Sequence, residues 1–144
     1  MIKRGSNTRP GTPGDGRAYL GKAVEWLEAA EDADERENHT ATVGACVHAG
    51  IAAADAISCV LLGARWAGEH AGAPSHVETA GTAEARGCAR QLRALLPLKN
   101  QAEYDPKLIP AATATQALTA ARRAVSNAQT VISQLPSSRP SQSS

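Results

Sequence analysis

The chain has 144 residues, 15 basic and 14 acidic, with a formal net charge of +1 at pH 7. That balance excludes a uniformly basic nucleic-acid-coating protein and an acidic disordered tail. Only 3% of residues are aromatic, Phe is absent, and the 42% hydrophobic fraction leans heavily on alanine, which suits closely packed helices better than a β-sandwich.

A chain of this length buries roughly 70% of its unfolded surface as one domain without staples. Cys46, Cys59 and Cys88 are widely spaced and form no C-x-x-C pair, so a zinc ribbon or thioredoxin-type site is not expected. An odd cysteine count reads as reduced and cytoplasmic. Met1 to Gly16 carries charges and prolines and has no apolar leader segment. No strongly apolar run approaches the 18 or more residues of a membrane span, so no membrane association is expected.

Residues 1–14 are polar and rich in Gly, Pro, Ser and Thr. They read as a flexible arm, because they cannot bury enough apolar surface to offset ordering entropy. Residues 15–135 form the helical body. Its first helix is expected from about Arg17 to Ala33 with Asp15 as cap, and Tyr19, Leu20, Ala23, Val24, Trp26, Leu27 and Ala30 at helical spacing. A second helix, from about Thr40 to Gly68, is apolar nearly all round and should be central.

The segment Gly68 to Pro74 breaks the pattern. Ser75-His76-Val77-Glu78 reads as a capping box opening a short helix. Another helix follows from about Glu84 to Leu96 and resumes after Pro97 as far as Tyr104. The last runs from about Pro110 to Leu135, burying Leu118, Ala121, Val125, Ala128, Ile132 and Leu135. Residues 136–144 read as a disordered tail. The fold class is therefore all-α, an antiparallel bundle of about five helices with no strand.

An alanine-rich helical hairpin leads the chain. A Gly/Pro loop follows with Pro74-Ser75-His76-Val77, then a helix running into Lys99-Asn100-Gln101-Ala102-Glu103-Tyr104-Asp105-Pro106, then a final alanine-rich helix. This order resembles the HEPN family of small all-α bacterial and archaeal domains over roughly residues 17–135. Many members have a Thr-His pair at that loop and an Arg-x-x-Ala-Asp-Tyr or Arg-Tyr-Pro segment before the last helix. The resemblance implies a nucleic-acid-associated protein of a toxin–antitoxin or phage-defence setting. Its expected partners are RNA, a nucleotidyltransferase-like chain or an antitoxin protein. It also implies a role for His76, Glu103 and Tyr104 as a ligand or turn motif. Lys99 stands where the family usually has arginine, giving a point charge instead of a fork.

The ribonuclease branch carries Arg-x4-6-His late in the bundle, and that motif is missing there. One literal match does occur, Arg65-Trp66-Ala67-Gly68-Glu69-His70. By resemblance, Arg65 would stabilise the charged phosphorane-like state and His70 would move a proton, without metal. A shuffled chain of this composition would show about one such match. At the end of the second helix, both cations would also favour the helix dipole.

Arg86, Arg90 and Arg93 fall at i, i+4 and i+7 on one helix face, with Cys88, Leu92 and Leu95 opposite. With Lys99 they form a row suited to tracking phosphates, which Arg122-Arg123 could extend. The competing reading of these arginines is a solvated face or pairing with the acidic end of the first helix. His76 reads either as a phosphate or partner contact or as a first-turn residue covering the loop. His48 reads as a core or interface histidine and His39 as solvated. No histidine pair has ligand spacing, so neither metal nor cofactor is expected. The second reading of the whole chain is a non-catalytic helical module, dimerising to bury residual apolar surface.

Overall fold

A computed structural model describes residues 7–137. The outer parts of both expected arms, residues 1–6 and 138–144, lie outside the described residues. The fold is all-α, as expected. In chain order come β1 (Thr8–Pro10), α1 (Pro13–Glu35), α2 (His39–Leu62), β2 (Ala64–Trp66), a 3-10 turn (His70–Gly72), α3 (Ala73–Glu78), α4 (Ala83–Leu95), α5 (Leu98–Glu103) and α6 (Ala111–Ser133).

The inner part of the N-terminal arm is structured, contrary to expectation. β1 pairs antiparallel with β2 in the register Thr8↔Trp66, Arg9↔Arg65 and Pro10↔Ala64. The Gly11 N–H donates to the Gly63 carbonyl (3.0 Å) and the Ala67 N–H to the Asn7 carbonyl (2.8 Å). This ribbon is the strand pair that the sequence did not announce. At the other end, the Pro136 carbonyl accepts from Arg17 Nη2 at 2.8 Å, so the start of the expected tail also touches the body.

α1 begins at Pro13, four residues before the expected Arg17. Thr12 is its cap, and Asp15 is the third helical residue. The Thr12 hydroxyl accepts from the Asp15 N–H, and the Asp15 carboxylate accepts from the Thr12 N–H, both at 3.0 Å. Two otherwise free donors are thereby satisfied. Proline suits the first turn because its missing N–H would have no helical partner there.

α2 is the central helix, packed against α1, α6, α4, α5 and α3. By length and composition it could cross a membrane, contrary to the sequence reading, but 67% of its most apolar stretch is buried inside the bundle. It stops at Leu62, not Gly68. Gly63 adopts a left-handed conformation (φ 68°) as its C-cap, and a residue without Cβ accepts that turn readily. Arg65 therefore sits on β2 and His70 on the 3-10 turn, and the helix-end reading of both is corrected.

The core is built from small residues, with Ile57, Leu92 and Leu95 the largest fully buried side chains. α3 begins at Ala73, capped by no side chain. Ser75 is already inside its first turn, so the expected Ser75–Glu78 capping box does not form. Thr82 instead caps α4, its hydroxyl accepting from the Ala85 N–H at 3.1 Å. Arg122 does not extend the basic row: its Nε donates to Glu31 at 3.0 Å, tying α6 to α1. His39 is half-buried, and its Nδ1 is buried without a partner among the described residues, which corrects its reading as solvated.

Candidate functional site

The periodicity of α4 works as expected. Cys88, Leu92 and Leu95 are fully buried, while Arg86, Arg90 and Arg93 are exposed on the opposite face. Arg93 lies at the end of that face nearest the α4–α5 junction. There it lines a cleft of about 650 Å³ together with His70, Glu69, Leu96, Lys99 and Asn100. Three residues singled out from sequence, His70, Arg93 and Lys99, thus line one cavity, although they come from three different segments.

The wall carrying His70 is held from behind by Trp66. The indole Nε1 donates to the Glu69 carbonyl at 2.6 Å, and the Gly72 N–H donates to the same oxygen at 3.0 Å. The indole lies so close to Gly72 that a Cβ there would sit 2.8 Å from Trp66 Cε2. Only glycine leaves room for that approach. His76 completes the support. Its Nε2 lies 2.8 Å from the Ala64 carbonyl, which can only accept, so Nε2 carries the proton. Its ring centroid is 5.7 Å from that of Trp66. His76 therefore covers and braces β2, the second of its two sequence readings.

The cations differ in how they are engaged. Arg93 Nη2 donates to Glu78 at 2.7 Å. That hydrogen bond holds the Glu78 carboxyl below its usual range and raises the Arg93 guanidinium. Lys99 pairs with Glu103 at 3.1 Å, which lowers the Glu103 carboxyl. Arg86 Nη1 donates to the Gly81 carbonyl at 2.5 Å. Among the described residues, Arg90 has no hydrogen bond or ion pair of its own. The Lys99 ammonium also lies 5.9 Å from the centre of the Tyr104 ring. Tyr104 is 73% exposed and lines a shallow groove that shares Asn100 with the cleft.

Arg65 and His70 are not brought together. Arg65 lines a separate cavity with Tyr19, Lys22 and Cys59. The two residues of the literal Arg-x4-His match thus line different cavities, Arg65 this one and His70 the cleft.

Sequence reasoning missed Glu69 and Asn100 as lining of the cleft and Trp66 as the support of the wall that carries His70. It also missed Asp55, the one carboxylate of the apolar α2, whose burial raises its carboxyl to about 7 against the opposing effect of Arg65. Burial raises the thiols of Cys46 and Cys88 to about 12 and that of Cys59 to about 11, leaving them protonated and unsuited to nucleophilic attack at pH 7. Among the described residues no group of three or more His, Cys, Asp or Glu side chains could hold a metal ion.

Compared with family models, with curated proteins and with solved structures, the chain matches none.

Proposed function

We propose that this chain is a nucleic-acid-associated helical protein of HEPN type, cytoplasmic, that binds single-stranded RNA without cleaving it. The observation that carries this reading is the convergence of His70, Arg93 and Lys99 on one cleft, with Arg90 and Arg86 leading into it along α4. Phosphates would run past Arg86 and Arg90 to Arg93 and Lys99. A base leaving the cleft would find the exposed Tyr104 ring as a stacking platform.

Glu78 and Glu103 hold Arg93 and Lys99 in the free protein. Solvent screening weakens ion pairs of this kind, so a phosphate can replace either carboxylate at small cost. Because Glu69, Glu78 and Glu103 offset most of the positive charge, affinity is expected to be modest. The non-cleaving part of the reading is supported by Arg65 and His70 lining different cavities. The toxin–antitoxin or phage-defence setting belongs to the same proposal and rests on the HEPN resemblance.

The test is NMR titration of the labelled chain with a short single-stranded RNA. The shifts should concentrate at His70, Arg90, Arg93, Lys99 and Tyr104, and the RNA should remain intact. Shifts confined to the exposed Trp26 and Leu61, with none in the cleft, would support the alternative of a helical dimerisation or partner-binding module. RNA cleavage that His70→Ala abolishes would show that the pair acts despite its separation.

A further inference from the structure

The cavity that holds Arg65 lies apart from the cleft and has about 320 Å³ of space. It is bounded by the α1 residues Asp15, Ala18, Tyr19 and Lys22, by Cys59 of α2, and by Pro10 and Arg65 of the ribbon. Its polar groups are mostly donors. Arg65 is a half-buried residue; its guanidinium lies 5.9 Å from the centre of the Tyr19 ring and has no hydrogen bond or ion pair among the described residues. The Tyr19 hydroxyl and the Lys22 ammonium likewise have none. Asp15, the carboxylate on this wall, is already engaged with the Thr12 N–H.

A guanidinium presents up to five N–H groups in a fixed fork that matches two oxygens of one oxyanion. Asp55 is the nearest acidic influence on Arg65 from α2, but it forms no direct ion pair with it. Burial keeps the Asp55 carboxyl largely protonated below about pH 7, so it neutralises the guanidinium only in part. The Tyr19 ring, Pro10 and Ala18 supply apolar walls beside these donors.

We propose that this cavity binds a small organic oxyanion, a carboxylate or phosphate monoester with a compact apolar body. Arg65 grips the oxyanion, Tyr19 and Lys22 donate to it from α1, and the apolar body lies against Pro10 and Ala18. Because its walls come from α1, α2 and both strands, a bound ligand would clamp the ribbon onto the bundle. The site is independent of RNA binding in the cleft, and Arg90 takes no part in it.

The test uses the full chain, titrated at low ionic strength with benzoate and, separately, with phenyl phosphate, and followed by calorimetry and amide shifts. At least one probe should bind with 1:1 saturation and move residues 18–22 and 65 most, and the probe that binds tighter identifies the oxyanion. Arg65→Gln should weaken binding about tenfold or more, and Tyr19→Phe, which keeps the ring, about three- to tenfold. Arg90→Ala should leave it unchanged. Should Arg65→Gln not fold, Tyr19→Phe and Lys22→Gln decide the matter. Failure of both probes to saturate, or wild-type affinity in the folded variants, would overturn the proposal.

Discussion

Asp55 carries the clearest energetic consequence of any single side chain. It sits on α2 among buried neighbours, and burial raises its carboxyl to about 7 from the 3.8 of a free group. The folded chain thus holds this proton more tightly than the unfolded one. The resulting stabilisation is fully present below about pH 4 and is lost as pH rises through about 7, with an upper limit of about 4 kcal/mol. Thermal melts should show Tm falling between pH 5 and pH 8.5. In Asp55→Asn, which cannot ionise, the fall should be markedly smaller, and an equal fall in both proteins would show that Asp55 is not responsible. The signal for this residue was present in the sequence, as one carboxylate within an otherwise apolar helix. It was not decisive there, because a lone carboxylate in a helix pattern does not reveal whether its face is buried or wet. The arginine triad was legible for the opposite reason, since its spacing alone places all three on one face. Its ion pairs were not legible, because Glu78 lies 15 residues from Arg93 and on another helix.

At the scale of elements, the long helices were readable from period and composition, and their ends were not. Thr12 and Asp15 have the spacing of a capping box, yet the Gly- and Pro-rich segment before Arg17 read as an arm, and Asp15 as the cap. Thr12→Ala should remove the box and cost about 1 kcal/mol, lowering Tm by a few degrees. Thr12→Ser should restore most of it, and an unchanged melt in Thr12→Ala would show that α1 does not depend on this cap. The ribbon was illegible on different grounds. Its strands have three residues each and lie far apart in sequence, so neither shows a period. The end of α2 was hidden because Gly63-Ala64-Arg65-Trp66-Ala67-Gly68 follows Leu62 with no proline and only one charged residue. Only Gly63 marked it, and glycines are frequent in this chain. The cleft inherited these errors. With α2 drawn to Gly68, Arg65 and His70 fell on one helix end, whereas the left-handed turn at Gly63 sends them to separate cavities.

For the molecule as a whole, charge is nearly balanced but unevenly placed. The acidic end of α1 is met by Arg122 of α6, which leaves Arg86, Arg90 and Arg93 on α4 as the row of cations that the fold turns outward. Arg90 lies in the middle of that row and has no carboxylate to release. This face and its adjoining cleft are the proposed RNA-binding surface, held to RNA through phosphates. Its affinity for a short single-stranded RNA is to be measured over a series of salt concentrations, for wild type and Arg90→Ala. For phosphate-held RNA, log K falls linearly with log salt, and Arg90→Ala weakens binding and makes the slope shallower by about 0.7, the loss of one phosphate contact. Binding that ignores salt, or a slope that Arg90→Ala leaves unchanged, would contradict binding of RNA through this face.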